Sequence, residues 1–464
     1  MGLFFPILVL VAFYSALAQP PPSPFPAGQI IPRVVCAADP SQSYALYLPS
    51  TFSNGRKWPI VYVFDPAARG PLAAEVVRAA AEKYGYIVAA SNNSRNGLKE
   101  GPGPAATAMW RDAHERFPLD ERRQYTAGMS GGARAATAIA LKCDGCMAGA
   151  IANAAAFPTY GSLPAHLKFA YFGAVGNADP NYREFVELRR GLEDIGAAYR
   201  IRVFSGPHGW APEEVWMEAL DWMDVRAMKD DLMPRDQARI QSALNHTLAR
   251  ARSFEAENDA LSALREYHSA VGDFSGLADI GGVKEKAATL EHGQAVKSAE
   301  KREKSDVEQQ ILVEAGPLAQ IERIASGDMD AAGMQQLRAT FANLRNEAAK
   351  PDPTGLVVRR ALGGLLLDVY ETGASSLEQK DYRAAQMYFD LAAAGARDPS
   401  WAHYQLARVF AATARRKEML SELRLALTGG FHDPAALEAA EFQPYRDVPE
   451  FKALAANWDA AARK

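Results

Sequence analysis

Tyr125-Thr126-Ala127-Gly128-Met129-Ser130-Gly131-Gly132-Ala133-Arg134-Ala135-Ala136 changes character at its centre. The residues before Gly128 suit a buried strand, and those after Gly132 suit a helix running to about Leu141. Between them stands Gly-x-Ser-x-Gly, Gly128 to Gly132. In a strand–turn–helix setting this spacing projects a serine hydroxyl above the end of a sheet, next to the positive end of a helix. The flanking glycines keep side chains out of a tight turn. The bland alternative is a Gly-rich turn whose serine only caps the helix.

The surrounding sequence repeats the same alternation. Runs rich in Val, Ile, Tyr, Phe and Ala occur at 43–48, 60–64, 86–90, 124–127, 148–153, 169–175 and 200–204. Helix-like stretches occupy 71–84, 104–117, 131–141, 182–195 and 213–228. Apolar strands without strict alternation, separated by helices, predict a mostly parallel sheet with helices on both faces. Ligands of such sheets collect at the carboxyl ends of the strands.

A nucleophilic serine needs a base and a group that orients the base. His208, in Gly206-Pro207-His208-Gly209-Trp210, follows the strand 200–204 and is the expected base. His166 precedes a strand and is expected at the opposite edge. Asp179, directly after the strand 169–175, is the expected acid; its alternative role is to cap the helix starting near Tyr182. Asp194, inside a helix, is a weaker rival. The oxyanion hole is expected from two backbone N–H groups. Gly131 supplies one, and the loop Asp65-Pro66-Ala67-Ala68 supplies the other. Proline has no N–H, so Ala67 is expected, with Ala68 next. Asn92, Asn93 and Arg95 follow the strand 86–90 and are candidate pocket residues, as is Trp210. For the polar loop 91–96 the competing reading is that it satisfies its own backbone.

With Tyr44-Ala45-Leu46-Tyr47-Leu48-Pro49, the Ser130 turn, the Asp179 loop and His208-Gly209-Trp210, residues 40–225 resemble α/β-hydrolases of the secreted esterase kind, related to feruloyl esterases and polyhydroxybutyrate depolymerases. The resemblance implies an α/β-hydrolase fold, an acyl-enzyme mechanism and hydrolysis of a small-molecule or polymeric ester, with peptide hydrolysis as a variant. The sequence departs from it where the usual His-Gly after the early strand is Asp65-Pro66, and no lid insertion is recognisable.

Beyond about residue 230 the strand signal disappears, and apolar residues recur at three- and four-residue spacing. Tyr382 to Pro399 aligns with Lys417 to Pro434, an offset of 434 − 399 = 35 residues. Such a unit resembles the tetratricopeptide repeat, well over 377–454 and weakly over 235–350. This implies an all-α repeat domain over 231–464 that binds or positions a protein or peptide partner. The chemistry is expected not to depend on it. The charged run Lys297 to Glu308 reads as a solvated helix face.

At the start, Leu3 to Ala16 is apolar and Ala16-Leu17-Ala18 provides small residues, so 1–18 reads as an export signal cut before Gln19. A retained membrane anchor is the competitor, although the run is shorter than a typical span and holds Pro6. Residues 19–39 then read as a Pro-rich linker, and 40–230 as the α/β unit. The chain is expected outside the cytoplasm, periplasmic or secreted.

Composition sets the outer limits. Of 464 residues, 48% are hydrophobic and 23% charged, which excludes a disordered or fibrous chain. A net charge of −4 offers no broad basic field for nucleic acid. Cys143 and Cys146 are read as a local disulfide or two buried thiols, with Cys36 left over. No phosphate-binding glycine loop, HExxH helix or EF-hand loop occurs, so neither a cofactor nor a metal is implied. Two functional classes remain: an exported serine hydrolase, and a non-catalytic interaction protein whose repeats bind a partner while the α/β unit serves as scaffold.

Overall fold

The computed structural model describes residues 24–158, 163–433 and 435–462. The expected export segment lies outside the described residues. Eight strands form one sheet: β1 (Ile30–Val35), β2 (Ser43–Tyr47), β3 (Trp58–Phe64), β4 (Ile87–Ser91), β5 (Leu119–Met129), β6 (Gly149–Asn153), β7 (Ala170–Gly176) and β8 (Tyr199–Phe204). Their order is β1-β2-β4-β3-β5-β6-β7-β8. β2 is antiparallel to both β1 and β4, and every later pairing is parallel. This is the mostly parallel sheet of the α/β-hydrolase fold.

β1 corrects the expected linker, because residues 30–35 are paired edge strand. Pro32 and the mixed polarity hide it in the sequence. An edge strand tolerates a proline, and the register shifts between Ile31 and Val34.

The pleat sends alternate side chains to opposite layers. Ile60, Tyr62 and Phe64 join one core with α2 (Gly103–Arg116), α3 (Gly131–Lys142) and α4 (Tyr182–Asp194), whereas Val61 and Val63 face the other. That second core packs α1 (Gly70–Tyr84) and α5 (Glu213–Lys229). Strand interiors are apolar on both faces because both are covered. The chain steps from β3 to β4 on one side and later returns to β5 on the other, a reversal that opens a crevice beyond the carboxyl ends of β3 and β5. Phe64 pairs with Gly128 and Met129 with Asn153, so β3, β5 and β6 finish almost level.

The rest of the described chain is helical. It comprises α6 (Gln237–Ala256), α7 (Ala260–Phe274), α8 (Gly281–Glu291), α9 (Gln294–Ala325), α10 (Ala331–Ala348), α11 (Pro353–Glu378), α12 (Tyr382–Gly395), α13 (Ser400–Ala412), α14 (Arg416–Thr428) and α15 (Pro449–Ala462). Asp236, Asp259, Asp330, Asp352 and Asp381 cap the starts of α6, α7, α10, α11 and α12, each accepting a backbone N–H three residues on. α12 and α14 begin at Tyr382 and Arg416. A complete second hairpin would continue into another helix, but two 3-10 segments, Ala436–Glu438 and Ala440–Tyr445, stand there.

The helical half is not loosely appended. Arg200 of β8 is 5% exposed and faces Glu218 of α5 at 3.3 Å and Glu266 and Asp273 of α7 at 3.7 and 3.6 Å. Val225 and Met228 of α5 share an apolar core with Ile240, Leu244 and Phe274. Among the described residues, no helix is long and apolar enough to cross a membrane.

Candidate active site

Ser130 stands between β5 and α3 with φ 54° and ψ −125°, a conformation rare for a residue with a side chain. Its N–H donates to the Asn153 carbonyl at 2.8 Å. The turn tolerates no bulk. A Cβ on Gly128 would lie 2.3 Å from the Gly132 oxygen, and one on Gly132 would lie 2.1 Å from the Phe64 oxygen. The spacing of the motif is therefore imposed by how closely the turn, the helix and β3 approach.

Ser130 Oγ lies 3.0 Å from Nε2 of His208. On the other side of the ring, Nδ1 lies 3.0 and 3.1 Å from the two carboxylate oxygens of Asp179. Asp179 is fully buried, and it also accepts the Asn181 N–H at 2.8 Å. The His208 side chain is 14% exposed, so one edge reaches solvent. Three loops, after β5, β7 and β8, thus bring a hydroxyl, an imidazole and a carboxylate into one hydrogen-bonded line. An N–H at Nδ1 given to Asp179 leaves Nε2 free to accept the serine proton.

The loop after β3 departs from expectation. Ala67 N–H donates to Asp65 Oδ1 at 2.8 Å, and Ala68 N–H donates to the Asp65 carbonyl at 3.1 Å. An aspartate readily binds the backbone two residues on, and here that turn takes the N–H expected to face an oxyanion. Gly131, in the first turn of α3, has no intrahelical acceptor for its N–H and remains the candidate donor. Asp65 is buried, which pushes its carboxyl pKa up. The Arg69 guanidinium and the Ala67 N–H outweigh that and hold it below the ordinary range.

Among the pocket candidates, Asn92 and Asn93 are turned away. Asn92 Nδ2 donates to the Pro32 carbonyl and Ser43 Oγ, and Asn93 takes the Ser43 N–H and donates to the Ser41 carbonyl. They tie β4 to the β1–β2 edge. Arg95 lines a cavity of about 270 Å³ beside Gly131, together with Asn96, Arg134 and Pro158. Trp210 packs on Trp216 and donates to Asp65 Oδ2 at 3.1 Å. Cys143 and Cys146 form a disulfide, and Cys36 is buried and free. Among the described residues, no group of three or more His, Cys, Asp or Glu could hold a metal ion.

Asn153 escaped the sequence reading, whereas Asn96 belongs to the polar loop 91–96 singled out there. Asn153 takes the Ser130 N–H on its carbonyl and the Ala211 N–H on Oδ1, joining the serine turn to the histidine loop. Its only sequence signal is a polar residue closing an apolar strand. Asn96 Oδ1 lies so close to Gly131 that a Cβ there would sit 1.9 Å from it, and its Nδ2 donates to Glu371 of α11 at 2.9 Å.

No family model matches the chain, and no curated protein matches it. Solved structures similar to it include an S-formylglutathione hydrolase from Staphylococcus aureus, 14% identical, with 43% of this chain and 98% of that one covered and a TM-score of 0.35. A ferulic acid esterase is 19% identical, covering 41% and 94% at a TM-score of 0.33. An esterase from Pyrobaculum calidifontis is 14% identical, covering 45% and 87% at 0.34.

Proposed function

We propose that this chain is a serine hydrolase that cleaves carboxylic esters through an acyl-enzyme on Ser130. The observation that supports it is the continuous line from Ser130 Oγ through both nitrogens of His208 to the buried Asp179. In this reading Ser130 Oγ attacks the ester carbonyl while His208 Nε2 removes its proton. Negative charge gathers on the former carbonyl oxygen, where the Gly131 N–H and the N-terminus of α3 stabilise it. The tetrahedral intermediate collapses, the alcohol leaves with the proton held by His208, and the acyl group stays on Ser130. Water, deprotonated by the same nitrogen, then releases the acid. Asp179 holds the ring in the tautomer that accepts from serine and faces the imidazolium that forms.

A fluorophosphonate probe on the purified full chain tests the reading, because it reacts with an activated serine whatever the natural substrate. Covalent labelling that is absent in Ser130→Ala is expected; unlabelled wild-type protein would overturn it. Export through residues 1–18 belongs to the same proposal, with sequencing of the mature amino terminus as its test.

A further inference from the structure

The backbone that carries Asp179 is gripped from outside the sheet domain. Arg360, on α11, donates from Nε to the Asn177 carbonyl at 2.6 Å, and its guanidinium lies 3.7 Å from the centre of the Tyr182 ring. Gln310, on α9 and buried, donates to the Pro180 carbonyl at 2.9 Å. These grips fall two residues before Asp179 and one residue after it. Gly363 and Gly364 let α11 lie directly on Pro180, where a Cβ would meet the ring at 3.3 and 3.4 Å.

Asn177 is also the joint between the acid loop and the histidine loop. Its N–H donates to the Phe204 carbonyl at 2.7 Å, and its Oδ1 accepts the Gly206 N–H at 3.1 Å. The next residue, Ala178, donates to the Gly206 carbonyl at 2.9 Å. Gly206 stands two residues before His208. A side chain that fixes the Asn177 peptide therefore acts on both Asp179 and His208.

Arg360 is 5% exposed, and burying a guanidinium is costly unless its partners compensate. Burial lowers its pKa, with Tyr182, Asp306 and Glu303 opposing. A solvated helix residue would avoid this cost altogether.

We propose that Arg360 is a positioning residue of the catalytic line, a part of the helical half that holds Asp179 and His208 in register by fixing the Asn177 peptide. This rests on the hydrolase reading above and runs against the expectation that the chemistry is independent of the helical half. Preorganised geometry matters at this scale, since a misplacement near 1 Å costs on the order of a hundredfold.

The test uses the full chain and a small soluble aryl ester. Arg360→Ala is expected to lower kcat about ten- to a hundredfold with KM nearly unchanged. Arg360→Lys, which keeps a donor for the Asn177 carbonyl, should recover part of the loss. In an Asp179→Asn background the same Arg360→Ala change should cost markedly less than in wild type, because one of the two groups it positions is already disabled while His208 remains. A merely structural role would cost the same in both backgrounds, and that result would overturn the proposal. The proton resonance of His208 Nδ1–H gives a readout independent of turnover: it should shift or broaden in Arg360→Ala and return toward wild type in Arg360→Lys. An unchanged resonance overturns the positioning role even if the wild type proves inactive, whereas a wild type unreactive toward both ester and fluorophosphonate overturns the hydrolase reading. Should Arg360→Ala fail to fold, Arg360→Gln and Arg360→Lys carry the same comparisons.

Discussion

The indole N–H of Trp210 donates to Oδ2 of Asp65 over 3.1 Å, fastening the segment after His208 to the loop after β3. The same carboxylate holds the Ala67 N–H and both the Nε and a terminal nitrogen of Arg69. A buried anion with this many donors organises its surroundings, and the Ala67 N–H expected to face an oxyanion is held by Asp65 instead.

Asp65→Asn should therefore lower stability by about 1–3 kcal/mol at neutral pH, because the hydrogen bonds to charge are lost. The pH dependence has a definite sign. A carboxyl held below its ordinary 3.8 stabilises the fold above that value, and the contribution disappears as pH falls through the folded pKa. The Tm gap between wild type and Asp65→Asn should narrow below about pH 4. A constant gap from neutral pH into that range would show that the carboxylate charge contributes nothing.

The proposed catalytic line makes a second prediction. Ser130→Ala and His208→Ala should each lower kcat/KM for a short-chain aryl ester by about three or more orders of magnitude. Asp179→Asn should cost somewhat less, since serine and histidine remain in place. Circular dichroism must show native folding in each variant. Unchanged turnover in folded Ser130→Ala would remove the serine from the mechanism.

How much of this was legible in the sequence depends on how local the determining physics is. Strands β3, β4, β6 and β7 announced themselves because both faces are covered, so their apolar residues run without alternation; β5 showed itself only over 124–127, and β8, at the edge, alternates Arg200 and Arg202 with Tyr199, Ile201 and Val203. The serine turn was legible because a close backbone approach leaves glycine as the residue that fits at 128 and 132. Asp179 and His208 followed from chain order and from the edge at which their strands end. The capture of Ala67 by Asp65 was equally local, but the sequence allows that N–H to face either partner. Arg360 and Gln310 carried no signal at all. They touch residues 183 and 130 positions away, and a lone polar residue on an amphipathic helix looks the same whether it faces water or a buried carbonyl.

A glycine of the serine turn and one of the histidine loop should behave oppositely. Gly132→Ala should destabilise by more than about 2 kcal/mol or abolish activity, because its Cβ would collide with the Phe64 carbonyl and the neighbouring backbone has to move. Gly209→Ala, beside His208, meets nothing within 4 Å and has no left-handed φ. It should change the free energy of unfolding by no more than about 0.5 kcal/mol and leave kcat close to wild type. Equal effects at the two positions would mean that packing at the turn does not set the motif.

Truncation is the sharpest test of how the two halves relate. Ending the chain near Met233 removes Glu266 and Asp273, two of the carboxylates around buried Arg200, and Thr247, which accepts from it at 3.1 Å. It also strips the cover from Val225 and Met228, each at most 1% exposed, and takes away Arg360 and Gln310. Breaking a buried ion pair typically costs about 3–5 kcal/mol, a large part of the stability of an ordinary domain. The shortened protein should therefore aggregate or melt well below the full chain. Any folded fraction should turn over a small ester more slowly, through kcat. The measurement is thermal unfolding together with steady-state kinetics on both lengths of chain. A soluble 1–233 protein with the Tm and kcat of the full chain would show that the helical half is a separable attachment, and that the contacts to Arg200, Asn177 and Pro180 contribute neither stability nor catalytic geometry.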